Sequence, residues 1–250
     1  GPDVRWVGNE SGVARPGESS VQPAHAGRHD GKAKDTVWYP AECDVSIRPG
    51  WFYHAAEDGK VKTVEHLVDI YFKSVGRNSV LLLNVPPDRR GRIADPDVRR
   101  LQEFRATLGA ILATNLVAGA SITASAERTD AAGAFRASAA SDGSADTYWA
   151  TDDDARSNEW LEVRWTQPRT FNVGDVREGI ALGERVRAYR IEAAAGDGVW
   201  RTVARGRAIG HRNLHRLGRV TAMRVRLFVE SAAACPAISE FGLYLSPFEQ

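Results

Sequence analysis

Carboxylates and flat aromatic side chains cluster in two stretches of this sequence. The first is Asp3–Glu10 (DVRWVGNE), where a segment of alternating apolar residues ends in Gly-Asn-Glu. The second is residues 40–54 (PAECDVSIRPGWFYH), in which Glu42 and Asp44 precede Trp51. Carboxylates accept hydrogen bonds from hydroxyl groups and aromatic rings stack on C–H faces, so the combination is typical of a sugar-binding surface. A buried ion pair beneath an aromatic cluster would need the same residue types, and both interpretations stay open.

Two pairs of histidines and one cysteine are the other groups that could do chemistry. His25 and His29, like His211 and His215, have the spacing that places two zinc ligands on one face of a helix. The first pair lies in a loop rich in Gly and Pro and the second in a β-rich stretch, so we expect no metal and no cofactor. Cys43 has no His and Asp partners at a spacing typical of nucleophilic catalysis, and we interpret it as a structural thiol.

The composition limits which partners the chain can have. Among 250 residues, 33 are Lys or Arg and 32 are Asp or Glu, and the net charge of +1 excludes a strongly basic nucleic-acid binder. No apolar run reaches about 18 residues, so we expect no membrane partner. The chain starts Gly-Pro-Asp without an initiator Met or a signal peptide. We therefore expect a processed chain or part of a longer protein; the sequence assigns neither cellular location nor oligomeric state.

Arginines are concentrated between Arg185 and Arg226, where only two acidic residues, Glu192 and Asp197, occur. In Arg224–Leu227 the cations alternate with apolar residues, as on the solvent-facing side of a β-strand. We interpret the stretch as a solvated strand face, with an anion-binding surface as the alternative.

Residues 1–113 have the pattern of alternating strands and helices. Tyr39–Ile47 and Val80–Val85 are predicted strands, and the second is apolar on both faces, which is typical of a parallel sheet covered by helices. Val64–Val75 carries a helical apolar stripe. A second helix is predicted from an N-cap at Asp95, followed by Pro96, onwards. The first domain is therefore α/β, with a long polar loop at residues 13–34.

Residues 114–250 have the pattern of an all-β domain. Short alternating segments separated by turn residues predict a β-sandwich. The predicted strands are Ser121–Ser125, Trp160–Trp165, Tyr189–Ala193, Val220–Val229 and Glu240–Leu245.

Several ordered blocks in the first domain closely resemble the family 29 glycoside hydrolases, the α-L-fucosidases. These blocks are DVRWVGNE at 3–10, PAECDVSIRPGWFYH at 40–54, SVGRN at 74–78 and LLLNVPPDRRG at 81–91. The form RPGWFYH is similar to the subfamily that favours α-1,3/1,4-linked fucose. Residues 115–246 resemble, more weakly, a discoidin or galactose-binding-like β-sandwich, through NLVAGA at 115–120, DG at 142–143, TYW at 147–149 and WLEV at 160–163.

The resemblance implies a (β/α)8-type barrel and a retaining mechanism, in which one carboxylate attacks the sugar and a second donates and then accepts a proton. It implies that Glu10 is the general acid/base and that Trp51 packs against the apolar side of fucose. The other substrate-binding residues it implies, with less support, are Arg5, Trp6, Glu42, Asp44 and His54. The implied substrate is a fucosylated oligosaccharide or glycoconjugate.

One part of the family pattern is missing from this sequence. The Asp nucleophile of the family belongs to a block upstream of Asp3, and about 110 α/β residues suffice for roughly the last three βα units of a barrel of about 250 residues. We therefore expect the carboxy-terminal part of a fucosidase barrel, inactive by itself. The alternative function is a carbohydrate-binding or structural module in residues 114–250, with Trp149, Trp200 and Arg156 as candidate sugar ligands.

Overall fold

The computed structural model describes residues 4–23, 36–130 and 133–248. Its α/β region begins with five strands and two helices. They are β1 (Arg5–Trp6), β2 (Val21–Pro23), β3 (Thr36–Trp38), β4 (Ala41–Ser46), α1 (Val64–Lys73), β5 (Ser79–Asn84) and α2 (Asp95–Ile111). Strands β1, β4 and β5 form a parallel sheet in that order, whereas β2 and β3 form a separate antiparallel pair.

The two helices follow the predicted apolar stripes but differ at their first turns. In α1, Thr63 caps the helix by accepting a hydrogen bond from the His66 N–H at 3.3 Å. The predicted N-cap of α2 was wrong by one residue, because Ala94 occupies that position without a side-chain hydrogen bond. Asp95 and Asp97 lie in the first turn of α2, and Asp97 is turned into the protein interior, where it pairs with an arginine.

The helices cover only one face of the parallel sheet. Val45 and Ile47 pack against Leu67 and Ile70 of α1 on the covered face. We predicted that the strand at 80–85 would be covered on both faces, and this was wrong for the described residues. Val80 is 47% exposed and Leu82 51% exposed. Because side chains alternate along a strand, these residues share the second face, the open face, with Trp6, Glu42 and Asp44.

Within its described residues, the second region contains nine further strands. They are β6 (Ser121–Ala124), β7 (Arg128–Asp130), β8 (Gly133–Phe135), β9 (Trp149–Ala150), β10 (Glu159–Glu178), β11 (Val186–Ala194), β12 (Trp200–Gly206), β13 (Asn213–Ala232) and β14 (Ala237–Tyr244). All except β7 and β8 belong to one seven-stranded sheet.

The long strands β10 and β13 take part in both halves of this sheet. Their pairing is interrupted between Arg164 and Arg169 by a shift of register, which lets each strand bend. Leu161, before the shift, and Phe171, after it, are fully buried in one common core. Both halves of the sheet therefore contribute side chains to one core, which is the feature that the predicted β-sandwich requires.

The candidate sugar ligands of the β region have structural roles here. Trp149 is fully buried, and its indole N–H donates to the Ala126 carbonyl at 2.8 Å. The Trp200 ring lies beneath the guanidinium groups of Arg224 and Arg226, whose central carbons are 4.8 and 4.4 Å from its centroid. Arg156 donates to the Ala233 carbonyl.

The arginine-rich strands are neutralised by glutamates on the same surface. Glu192 pairs with Arg190 at 2.9 Å and with Arg226 at 2.5 Å. Arg224 pairs with Glu162 at 2.7 Å, a residue of the neighbouring strand β10. The stretch is thus a paired, partly solvated strand face rather than a surface of uncompensated positive charge.

The two regions are joined by apolar packing and by backbone hydrogen bonds. Phe72 of α1 packs in one cluster with Leu214 and Tyr244 of the β region. The Leu214 N–H donates to the Gly76 carbonyl at 2.9 Å. Neither helix of the described residues combines the length and the apolar character that crossing a membrane requires.

Candidate active site

Three loops meet at one edge of the parallel sheet. Because β1, β4 and β5 run in the same direction, their carboxyl ends lie at the same edge. Residues 7–14 follow β1, residues 47–62 follow β4 and residues 85–94 follow β5. The first loop carries Glu10 and the second carries Trp51 and His54. The sheet therefore brings the two stretches that sequence analysis singled out to one place.

The loop that carries Glu10 is held on both sides of that residue. Gly8 and Gly12 adopt positive φ angles of 85° and 72°, which favour glycine. A Cβ atom at Gly12 would lie 2.8 Å from side-chain carbons of Val45 and Ile70. The Gly12 N–H donates to the Asp44 carbonyl at 3.0 Å. The segment after Glu10 therefore passes tightly against β4, while the Glu10 side chain stays exposed to solvent.

Glu10 and Trp51 contact each other directly. The indole N–H of Trp51 donates to Oε2 of Glu10 at 2.9 Å. This hydrogen bond fixes the orientation of the carboxylate, because it joins two loops that are each anchored to the sheet. Among the described residues, the second carboxylate oxygen, Oε1, forms no hydrogen bond.

Asn84 at the end of β5 holds the backbone of Trp51. Its amide nitrogen donates to the Trp51 carbonyl at 3.1 Å and to the Ser46 hydroxyl at 3.0 Å. Sequence analysis did not assign Asn84 to the site, although the residue lies in the quoted LLLNVPP block. Its position as a polar residue that directly follows the apolar run Val80–Leu83, at the carboxyl end of the strand, was the available signal.

Trp6, Asp44 and Glu42 lie together on the open face of the sheet. Trp6 pairs in register with Glu42, and its indole N–H donates to Oδ1 of Asp44 at 2.6 Å. Trp6 is 55% exposed, and both carboxylates are half-buried. The open face thus presents one flat aromatic ring and two carboxylates to solvent.

Arg5 is placed apart from these groups. It precedes Trp6 in β1, so its side chain leaves the strand on the opposite side. There it forms an ion pair with Glu18, whose side chain is almost fully buried. In this structure Arg5 anchors the loop that follows Glu10.

His54 lines a cavity of about 590 Å³ beside the Trp51 loop. The other lining residues are Tyr53, Ala55, Ala56, Asp88, Arg89 and Arg90. The cavity lies between the loops that follow β4 and β5, at the same edge of the sheet as Glu10. Its lining combines an aromatic ring with exposed cationic and hydrogen-bonding groups.

Arg48 explains why residues 40–54 fitted two interpretations. Its side chain is fully buried and pairs with Asp97 and Asp58, each at 2.9 Å, below the ring of Tyr53. Arg48 and its two aspartates therefore form the buried ion pair beneath an aromatic ring. Asp44 and Trp51 instead belong to the solvent-accessible site. The same short stretch contains both arrangements.

Cys43 is buried on the covered side of β4, next to Ser79. Burial raises the pKa of its thiol to about 11, so the thiol is protonated at neutral pH. A protonated thiol is a poor nucleophile, which agrees with the structural interpretation.

The described residues contain no cluster of three or more His, Cys, Asp or Glu side chains that could hold a metal ion. His25 and His29 lie outside the described residues. His215 Nε2 is hydrogen-bonded to the Tyr189 hydroxyl at 2.8 Å, and burial lowers the pKa of His215 to about 4.

Comparison with known families accounts for both regions of the chain. A family model described as α-L-fucosidase matches residues 18–111, and a model described as a NedA-like, galactose-binding domain matches residues 139–227. The α/β region of the chain matches the α-L-fucosidase family of glycoside hydrolases. The fucosidase match contains Trp51 and Asn84, and it lies entirely within the α/β region.

Relatives named as fucosidases match this chain over nearly its whole length. It is 37% identical to α-L-fucosidase 1 of Arabidopsis thaliana, over 99% of this chain and 51% of the plant protein. A solved structure of a Ruminococcus gnavus family 29 fucosidase in complex with fucose superposes with a TM-score of 0.85 at 31% identity, covering 97% of this chain and 50% of that one.

A family 29 glycoside hydrolase from a rumen bacterium gives a TM-score of 0.77 at 30% identity, covering 99% of this chain and 41% of the other. The chain therefore spans about half the length of these relatives.

Proposed function

We propose that this chain supplies the general acid/base of a retaining α-L-fucosidase, an enzyme that hydrolyses terminal α-L-fucosyl linkages in glycans. The observation that carries the proposal is the hydrogen bond of 2.9 Å between Trp51 and Glu10 at the carboxyl edge of a parallel sheet. An exposed carboxylate held in one orientation, beside an aromatic ring and an open cavity, is suited to donating a proton to a glycosidic oxygen.

The mechanism uses Glu10 twice. A nucleophilic carboxylate attacks the anomeric carbon while protonated Glu10 donates its proton to the leaving oxygen, so the aglycone departs as an alcohol. Ionised Glu10 then removes a proton from water, whose oxygen attacks the anomeric carbon and releases the enzyme carboxylate. Fucose leaves with its original anomeric configuration, and Glu10 is protonated again.

Trp51 orients Glu10 and offers its ring face to the apolar side of fucose. Glu42 and Asp44 accept hydrogen bonds from sugar hydroxyls, with Trp6 beside them. His54 lines the cavity next to Trp51, and in this proposal it contacts the sugar to which fucose is attached. Arg5 acts indirectly, through its ion pair with Glu18.

We propose that the three parallel strands are part of a larger (β/α)8-type barrel, whose other strands bring the nucleophile. The exposed Val80 and Leu82 support this proposal, since apolar side chains on the inner face of a complete barrel are normally covered by those of other strands. A retaining enzyme needs its second carboxyl group about 5–5.5 Å from the first. We expect the 250-residue chain to lack that partner and to be inactive by itself.

The linkage preference is a finer proposal. We infer a preference for α-1,3/1,4-linked fucose from the RPGWFYH stretch at 48–54. Residues 1–113 are the proposed barrel part and 114–250 the proposed β-sandwich domain, a division supported by the end of α2 at Ile111 and the start of β6 at Ser121.

Product stereochemistry in a longer protein that contains this chain tests the proposal. Proton NMR of an aryl α-L-fucoside reaction should show α-L-fucose as the first product, followed by slow mutarotation. The 250-residue chain should release no fucose from the same substrate or from a Lewis-type oligosaccharide. β-L-Fucose as the first product would contradict the retaining mechanism, and turnover by the short chain would contradict the missing nucleophile.

A second candidate function is sugar binding by the β region. A cavity of about 240 Å³ there is lined by Phe135 and Tyr148, whose rings stack 5.0 Å apart, and by Asp153. Titration of the chain with galactose-containing glycans tests it. Binding lost in Tyr148→Ala would support this function, whereas no binding would leave the β region a structural domain.

A further inference from the structure

The loop that leaves Glu10 is anchored in the β region. Glu184 precedes β11, and its side chain is fully buried. Its Oε2 atom accepts hydrogen bonds from the Ser20 backbone N–H at 2.9 Å and from the Asn78 side-chain amide at 2.8 Å. Its Oε1 atom accepts a hydrogen bond from the Ser19 hydroxyl. One carboxylate of the β region thus binds two neighbouring residues of a loop in the α/β region.

Asn78 links the same loop to a second segment of the β region. Its amide nitrogen lies 3.3 Å from the Glu18 carbonyl, and its amide oxygen accepts the His211 N–H at 2.8 Å. Asn78 has a φ of 58°, a conformation that Asn tolerates better than most residues. A Cβ atom at Gly210 would lie 2.2 Å from the Asn78 amide, so the side chain fits only against a glycine.

The anchored segment is mechanically connected to Glu10 in two ways. Glu18 forms the ion pair with Arg5, which lies in the strand that leads into the Glu10 loop. Nearer to Glu10, the Ala14 carbonyl accepts a hydrogen bond from Arg77 at 2.7 Å. Arg77 is the neighbour of Asn78 in the chain. Both ends of the Glu10 loop are therefore tied to residues that contact Glu184 or Asn78.

We propose that Glu184 and Asn78 are positioning residues for Glu10, so that the β region contributes to catalysis by fixing the loop of the general acid. This inference rests on the proposed function of Glu10. Without Glu184, the buried Ser20 N–H loses its acceptor and the Asn78 amide loses the shortest of its hydrogen bonds, and an unpaired buried donor is costly. The loop segment 17–20 then opens to water, and the constraint on Arg5 and on residues 12–14 is lost.

Hydrogen exchange on the 250-residue chain tests the coupling without any need for activity. Glu184→Ala should increase exchange in peptides covering residues 8–20, including the Gly12 and Ser20 N–H groups. Glu192→Ala, which removes a paired carboxylate elsewhere in the β region, is the matched control and should leave these peptides unchanged. If residues 8–14 of Glu184→Ala exchange at the same rate as in the wild type, the proposed coupling is overturned. If Glu184→Ala does not fold, Glu184→Gln takes its place in the experiment. Glutamine keeps the size of the side chain and one oxygen, so exchange in the same peptides should increase by a smaller amount.

Kinetics of the longer protein then test positioning against general destabilisation. A misplaced general acid slows cleavage of a glycan, whose leaving group needs a proton, more than cleavage of an activated aryl fucoside. In Glu184→Ala we expect kcat/KM to fall at least about fivefold more on the glycan. Asn78→Ala should also lower kcat/KM more on the glycan than on the aryl fucoside, and Glu192→Ala should not.

Equal losses on both substrates would mean that Glu184 only stabilises the fold, and would overturn the inference. A longer wild-type protein that cleaves neither substrate would instead contradict the proposed function. Hydrogen exchange would still decide whether the β region holds the loop.

Discussion

The open face of the parallel sheet and the core of the β region treat the same residue type in opposite ways. Trp6 on the open face is 55% exposed, whereas Trp149 in the β core is completely buried. Both indole N–H groups are hydrogen-bonded, Trp6 to a carboxylate and Trp149 to a backbone carbonyl. A tryptophan that stabilises the chain is thus surrounded by protein, while one available to a substrate leaves its ring uncovered. The difference distinguishes a stabilising tryptophan from one that the proposed function places beside the substrate.

Replacing Trp149 should have the largest effect on stability. Trp149→Ala removes a fully buried ring and leaves a cavity, so we expect a loss of about 3–5 kcal/mol in the free energy of unfolding. Urea denaturation of the 250-residue chain, followed by circular dichroism, measures it. A loss below about 1 kcal/mol would mean that the burial contrast between the two tryptophans has no energetic meaning.

A pH titration would sharpen the same contrast, because the β region also buries a carboxyl group. Burial raises the pKa of Glu178 from 4.5 to about 7, against the effect of hydrogen bonds from the N–H groups of Val186, Arg185 and Gly210. The folded chain thus binds this proton more tightly than the unfolded chain. The resulting stabilisation is complete below pH 4.5 and is lost as the pH rises to about 7.

The loss amounts to about 3 kcal/mol for this group. This loss should be missing in Glu178→Gln, which has no proton to release. The difference in free energy of unfolding between wild type and variant should therefore change by about 3 kcal/mol between pH 4.5 and about 7. His215, whose pKa is lowered to about 4 by burial, works in the opposite direction and is common to both proteins. A pH-independent difference between the two proteins would contradict the raised pKa.

On the open side of the molecule, Asn84 should affect activity more than stability. Asn84→Ala removes the amide that holds the Trp51 carbonyl and the Ser46 hydroxyl, so Trp51 and Glu10 lose a common support. In the longer protein we expect kcat to fall about tenfold, with a smaller change in KM. Asn84→Asp keeps the size of the side chain but has no amide donor for the Trp51 carbonyl or the Ser46 hydroxyl, so it should not restore the rate. A fully active Asn84→Ala enzyme would remove Asn84 from the site.

Replacing Trp6 should have the smallest effect on stability. Trp6→Ala removes an exposed ring and one hydrogen bond, and we expect the free energy of unfolding of the 250-residue chain to change by about 0.5 kcal/mol. The same urea denaturation measures it. A loss as large as that of Trp149→Ala would show that the open face is part of the stabilising core.

Sequence patterns predicted the elements of this fold better than their environments. The apolar stripe of α1 and seven of the strands follow from period and turn residues. The strands β2, β3, β7, β8, β9 and β12 were not predicted, and β2 lies within the predicted loop at 13–34. The exposure of Val80 and Leu82 does not follow from the sequence pattern, because an apolar run looks the same whether its second face is covered by helices or left open. Pairing across strands, such as Arg224 with Glu162, is equally hidden, since the partners are 62 positions apart.

For the site, the residues were easier to find than their geometry. The stretches that carry Glu10 and Trp51 were identified from residue types and family resemblance. Their direct hydrogen bond depends on two loops that meet only because the strands are parallel. The contacts of Asn84 and Glu184 join distant segments, and Glu184 has no distinctive local pattern.

The most direct test of the central claim is Glu10→Gln in the longer protein, assayed on a Lewis-type glycan and on an activated aryl fucoside. The glutamine keeps the size of the side chain and an acceptor for the Trp51 indole but cannot donate a proton as an acid. We predict that kcat/KM falls by about a hundredfold or more on the glycan and much less on the aryl fucoside. Equal losses on the two substrates would contradict the assignment of Glu10 as the general acid.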